Sequence, residues 1–147
     1  MNQLARASHS VSQMVLHLEW CTKYRNQAFA DQRYKLLCEA AIMSAAERHK
    51  ISILELAVMP DHVHVLVRIP MSMSASDALQ VLKGYSSYAV LKLCPELRPK
   101  HFWGCDGVWS PGKFVRTVGD VDLQKTAEYV RNQPLHHAVQ ASGFSPR

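Results

Sequence analysis

No apolar run in this chain approaches the roughly 18 residues that a membrane-spanning helix needs, because His, Glu, Lys or Arg interrupts each one early. A signal-peptide core is missing as well: residues 1–12 hold Arg6 but no apolar segment. Low-complexity tracts and obvious internal repeats are absent, so a folded globular protein is expected rather than a disordered one. The four cysteines, Cys21, Cys38, Cys94 and Cys105, form no Cys-x-x-Cys pair. A zinc knuckle and a dithiol redox motif are thereby excluded, and free thiols in a reducing compartment are expected. These absences point to a cytoplasmic globular protein. Its 147 residues suit one domain with a real core, spanning 1–147, with tails expected at 1–10 and 134–147.

What is present is positive charge beside aromatic rings. Seventeen Lys and Arg against twelve Asp and Glu leave a net charge of +5, which favours a polyanionic partner. Basic and aromatic residues alternate at Lys23-Tyr24-Arg25, at Lys100-His101-Phe102-Trp103, and from Trp109 through Lys113 and Phe114 to Arg116. Single-stranded nucleic acid wants this mixture, with cations for its phosphates and flat surfaces for its bases.

Apolar periodicity gives the element order. Residues 11–21 alternate, with Val15, His17 and Glu19 on one face and Leu16, Leu18 and Trp20 on the other, as in a strand. After a basic turn at 22–27, Tyr34, Leu37, Cys38, Ala41, Ile42 and Ala45 recur at helical spacing within 31–50. Residues 51–59 and 62–69 read as a hairpin around Pro60-Asp61. Ser74 or Ser76 caps a second helix, whose stripe runs Leu79, Leu82, Ser86, Ala89 and Leu93 and which Pro95 stops. A basic connection at 95–107 leads to a strand over 108–118, interrupted by Ser110-Pro111-Gly112. A last helix at 120–133 follows Gly119, begins with Asp120 and Asp122 and ends at Pro134. Strand, helix, strand, strand, helix, strand is the split βαβ, ferredoxin-like α+β pattern, an antiparallel sheet with helices on one face. The last helix is an addition to it.

The third strand carries the chemistry. In Pro60-Asp61-His62-Val63-His64-Val65, the two histidines are two residues apart, so both imidazoles project from one face of the strand. Two imidazoles on a rigid strand make half of a metal site, and Asp61 beside them is a candidate support. On the last helix Leu123, Ala127 and Val130 form the docking stripe, while Tyr129 and Gln133 stack four residues apart on another face. If that face lies over the histidine strand, the site holds His62, His64 and the amide oxygen of Gln133 as metal ligands, with the phenol of Tyr129 beside them. Three neutral ligands leave a divalent cation nearly its full charge, which suits a phosphodiester whose phosphorus a phenol attacks.

At these residues the chain resembles the single-tyrosine HUH transposases of bacterial and archaeal insertion sequences, a resemblance that covers nearly its whole length. Trp20-Cys21-Thr22-Lys23-Tyr24-Arg25, Met59-Pro60-Asp61-His62-Val63-His64, Leu82-Lys83-Gly84, Trp109-Ser110-Pro111 and Tyr129 with Gln133 carry it in order. The resemblance implies His62, His64 and Gln133 as ligands, Tyr129 as nucleophile, and a free 3′-hydroxyl and a 5′-phosphotyrosine as products. It implies magnesium or manganese, of which imidazole ligands favour manganese. It further implies single-stranded DNA with hairpins at the element ends, and a homodimer with a joined sheet. In that dimer the tyrosine helix of one chain serves the histidines of the other, with Gly119 as the hinge. Lys23, Arg25, Lys83, Lys92 and Arg116 are candidates for DNA contacts.

Within the same chemistry, a domesticated relative that processes repeated palindromes, or a replication initiator, remains open. Outside it stand a non-catalytic ferredoxin-like RNA-binding module, which needs aromatics on the central strands, and a metal-dependent hydrolase using Asp61 as base.

Overall fold

The computed structural model of the chain describes residues 13–135. The elements are β1 (Gln13–Cys21), α1 (Gln32–Arg48), β2 (Ser52–Val58), β3 (His62–Pro70), α2 (Ala75–Leu93), α3 (Leu97–His101), β4 (Phe114–Thr117) and α4 (Asp120–Arg131). The expected tail at 1–10, the expected strand start at 11–12 and the part of the expected 134–147 tail beyond residue 135 lie outside the described residues. Among the described residues no helix is long and apolar enough to cross a membrane.

The sheet order is β2-β3-β1-β4, with every neighbouring pair antiparallel. This is the ferredoxin-like arrangement that the element order predicts. Strand alternation divides the two central strands between two faces. Leu16, Leu18 and Trp20 of β1 join Val63, Val65, Val67 and Ile69 of β3 beneath α1 and α2 in one apolar core. The opposite face has a smaller cluster, in which Val15, Leu66 and Val118 meet Leu123, Ala127 and Val130 of α4. Thus α4 docks by its expected stripe, on the face that the other two long helices leave open. An ion pair from Arg131 to Glu55 of β2, 2.9 Å from Nε to Oε1, fastens the end of this helix.

Helix starts follow local hydrogen bonding. The Asp31 carboxylate accepts from the Arg33 N–H at 2.9 Å and opens α1. Ser74 and Asp77 exchange bonds in a capping box at the head of α2. The α2 stripe is buried from Leu79 to Ala89, but Leu93 lies in the last turn and is exposed.

Three expectations need correction. The 95–107 connection contains α3, a single turn that buries Leu97; Pro99 falls within its first turn, where a missing N–H breaks no helical bond. The last strand is not 108–118 but only Phe114–Thr117. Val108 and Trp109 are instead drawn onto α2, where Ser87 Oγ accepts from the Val108 N–H at 3.0 Å and Ser86 Oγ from Trp109 Nε1 at 2.9 Å. Lys83 Nζ then donates to the Ser110 carbonyl at 2.9 Å and holds the Ser-Pro-Gly bend. Finally, α4 ends at Arg131 with Asn132 as its cap, two residues before Pro134. The proline has no N–H to return to Val130, so the helix breaks at Asn132, and residues 133–135 begin a further helical stretch.

Candidate active site

His62 and His64 project from β3 onto the α4 face, both buried, with ring centroids 4.9 Å apart. The Asp61 carboxylate lies 2.6 Å from His62 Nδ1, close enough to accept its N–H and to fix the tautomer with the lone pair on Nε2. Arg25 Nη1 stands 3.5 Å from the other Asp61 oxygen. A strained turn presents Arg25: Tyr24 and Arg25 have φ of 57° and 55°, left-handed values that bulky side chains seldom adopt. The Thr22 N–H bonds the Asp61 carbonyl at 2.9 Å and Thr22 Oγ1 the Asn26 carbonyl at 2.7 Å, which fastens this turn to the histidine hairpin.

Above the pair, the Tyr129 ring centroid is 5.8 Å from that of His64 and 5.9 Å from that of His17, while half of the tyrosine remains exposed. Gln133 is buried, and its Nε2 donates to the Tyr129 carbonyl at 3.3 Å, leaving Oε1 as the atom with which the amide can meet a cation. His62, His64, Tyr129 and Gln133 thus line one pocket of about 770 Å³, with Arg25, Glu19, Lys113 and Phe114 on its walls. Its volume lies within the usual range for a bound small molecule or nucleotide.

The sequence reading missed two residues of this site. Antiparallel register sets Glu19 of β1 directly opposite His64 and places His17 two residues along on the same face. Glu19 Oε1 is 3.4 Å from His64 Nδ1, and His17 Nε2 is 3.5 Å from the same nitrogen. Burial holds the His17 imidazole below its usual range, and the Arg116 cation adds to the effect. Burial pushes the Glu19 carboxyl up, against the pull of His62 and Arg25. The signal was on the page: His17 and Glu19 share a strand face, and the pairing of the first and third strands of this fold brings that face to the histidines.

The basic candidates scatter. Arg25 lines the main pocket, and Arg116 lines an adjoining cavity with His17, Phe114, Lys125 and Tyr129 while donating to Thr126 Oγ1 at 3.0 Å. Lys83 holds the 110–112 bend, Lys23 is paired with Asp106, and Lys92 donates to the Tyr88 hydroxyl at 3.1 Å on the outer side of α2. Lys113, at the pocket wall, was not among the candidates.

A ferredoxin-like sheet thus carries a tyrosine-bearing helix laid over a histidine pair. The chain belongs to the IS200-like transposase family, whose model matches residues 10–133. Among curated relatives it is similar to the ISDra2 transposase TnpA of Deinococcus radiodurans, 29% identical over 123 residues that cover 84% of this chain and 86% of that protein. It is 31% identical over 117 residues to the IS200 transposase of Salmonella typhimurium, covering 80% and 74% of the two chains. A solved structure of a Deinococcus radiodurans R1 protein assigned as a transposase superposes with a TM-score of 0.65 at 30% identity, over 85% of this chain and 94% of that one. A REP-associated tyrosine transposase, solved bound to a REP hairpin, shares the fold with a TM-score of 0.63 at 15% identity, over 88% and 71%.

Proposed function

We propose that this transposase cleaves and rejoins single-stranded DNA at the ends of an insertion sequence, with Tyr129 as nucleophile and a 5′-phosphotyrosine intermediate. The observation that carries the reading is the convergence of Tyr129, His62, His64 and Gln133 on one pocket from two separate elements. The donor set fits a divalent metal: two imidazoles, one held in a single tautomer by Asp61, and the oxygen of a buried amide. His62, His64 and Gln133 would hold magnesium or manganese, and the ion would neutralise charge developing on the phosphate oxygens.

The protein's own groups do the rest. Tyr129 Oη forms the bond to phosphorus as the bond to the 3′ oxygen breaks; the phenol gives up one proton and the departing 3′ oxygen gains one. The 5′ side stays esterified to Tyr129, and attack by a 3′-hydroxyl on that ester reverses the step without an external energy source. Arg25 and Lys113 in the pocket wall, and Arg116 beside it, are placed to take the DNA backbone, with Lys23, Lys83 and Lys92 as outlying contacts. The expected DNA partner carries hairpins at the element ends, and such a substrate puts the enzyme in the cytoplasm.

A homodimer with a joined sheet is part of the same reading, supported by the exposed edge strand β4. In the single chain α4 lies on its own sheet; a trans arrangement would exchange it with a partner copy. The hydrolase reading is disfavoured because Asp61 is committed to His62 at 2.6 Å. The RNA-module reading lacks its platform, since the α4 face of β3 carries histidines, Leu66 and Arg68.

The test is incubation with single-stranded DNA bearing the element's ends plus manganese, followed by a denaturing gel. A covalent adduct is expected that disappears in Tyr129→Phe; cleavage that persists in this variant removes the tyrosine mechanism. Mixing Tyr129→Phe with His64→Ala subunits tests the exchange: recovered cleavage is expected, and its absence sinks the trans arrangement.

A further inference from the structure

Beside the donors already assigned lies a second set, formed where β1 pairs with β3. His64 Nδ1 is 3.4 Å from Glu19 Oε1 and 3.5 Å from His17 Nε2, and His17 Nε2 is 3.7 Å from Glu19 Oε2. With one ligand atom taken from each residue, the three lie within 4.8 Å of one another. We propose that His17, Glu19 and His64 form a second divalent-metal site, of zinc type, which shares His64 with the set made by His62 and Gln133.

The spacing suits a bound ion, and the His64–His17 contact at 3.5 Å also lies at the outer limit of hydrogen-bond reach. An N–H to oxygen hydrogen bond has its donor and acceptor about 2.9 Å apart, and contacts near 3.6 Å no longer count as one. The neighbouring His62 and Asp61 show what a hydrogen bond looks like here, at 2.6 Å. Ligands about 2.1 Å from a tetrahedral ion, by contrast, are separated by edges of about 3.4 Å. The 3.4 Å and 3.5 Å separations from His64 Nδ1 match that edge, while Glu19 meets His17 through its other oxygen, Oε2, at 3.7 Å. Two imidazoles and a carboxylate are also a donor set that zinc takes in open, three-ligand protein sites.

The strands fix the arrangement in advance. Glu19 and His64 are direct register partners, and His17 follows on the same face of β1. The rings of His17 and His64 are buried, so no loop has to close to assemble the set. Glu19 reaches the main pocket, and His17 and Glu19 also line the adjoining cavity with Phe114, Arg116 and Tyr129, which leaves room for a fourth ligand.

Sharing His64 has a consequence. A neutral imidazole has one lone pair, on Nδ1 or on Nε2 according to tautomer. His64 therefore serves one set at a time, and zinc held through its Nδ1 withdraws it from His62 and Gln133. Zinc is expected to compete with the manganese or magnesium of the cleavage reaction.

The site rests on β1 and β3 and not on the role of Tyr129, so it can be tested by binding alone. Zinc is titrated calorimetrically into the metal-free protein, into a His62→Ala/Gln133→Ala variant, and into that variant with His17→Ala added. The double variant is expected to keep one zinc, and the added change to lower its affinity at least tenfold. Cobalt in the double variant should give the strong visible d–d bands of a four-coordinate ion, and lose them with His17→Ala. Glu19→Gln, nearly isosteric, gives the same loss without opening a cavity, and thermal unfolding of each variant verifies the fold. Zinc binding that vanishes in the double variant, or is unaffected by His17→Ala and Glu19→Gln, overturns the proposal. Tyr129→Phe should leave zinc affinity unchanged, so a failed tyrosine mechanism and a failed zinc site give separate results.

Discussion

Leu18 and Glu19 are neighbours in β1, yet they belong to two different environments. Leu18 faces α1 and α2 among Leu16, Trp20, Val63 and Val65, in a core with aliphatic and aromatic walls. Glu19 faces α4, among His17, His62, His64 and Tyr129, where a small apolar cluster at Val15, Leu66 and Val118 borders polar groups that burial perturbs. One pair of strands thus supplies cohesion on one side and reactive donors on the other. The rigidity of the dry side fixes the spacing of the donors, because side chains two residues apart on a paired strand cannot shift independently. Each side can therefore be perturbed with limited effect on the other, and that separation is open to test.

The largest stability effect should come from the dry side. Leu18→Ala is expected to cost about 3 kcal/mol through lost burial and a residual cavity, measured by urea unfolding; a loss below about 1 kcal/mol would mean that this face is not tightly packed. On the other side, Asp61→Ala frees His62 Nδ1, and manganese affinity measured by calorimetry should fall about 10- to 100-fold with little change in unfolding midpoint. Unchanged affinity would deny Asp61 its part in holding His62. Ser74→Ala removes the cap that accepts from Asp77 at 3.0 Å; about 1 kcal/mol of stability should go, with single-turnover cleavage under saturating metal unaffected. The smallest stability change belongs to the half-exposed Tyr129. Tyr129→Phe should unfold within about 0.5 kcal/mol of the parent chain, although it is expected to form no adduct, and a larger shift would show that the phenol also supports the fold.

How much of this could be read from the chain depends on the range of the interaction. Strand faces, the stripes of α1 and α4, and the Ser74 cap were legible because each is set by residues within a turn or a pleat of one another. His-x-His and Tyr-x-x-x-Gln were legible for the same reason, through periods of two and four. His17 and Glu19 escaped as site residues because they reach His64 only through strand pairing, which local periodicity does not report. The shortening of β4 escaped for a similar reason: Val108 and Trp109 look like strand residues, but Ser87 takes the Val108 backbone N–H and Ser86 the Trp109 indole, leaving only a single bridge from Trp109 to Thr22. The short helix α3 was hidden by Pro99, whose position in a first turn cannot be told from a loop proline by type alone.

The seam beneath α4 is made from residues of its own chain, with Leu123, Ala127 and Val130 laid on Val15, Leu66 and Val118, and Arg131 fastened to Glu55. An identical copy offers the same side chains in the same order. Trading α4 between two copies would therefore restore each contact that it breaks, leaving only the connection at 117–119 to tell the two states apart. Within an assembled dimer, equilibrium would then have almost no preference between a tyrosine kept and a tyrosine exchanged, whereas for separate chains the entropy of association favours the kept form at low concentration. In such a dimer the choice would pass to kinetics, set by how long the seam stays open once Arg131 lets go of Glu55.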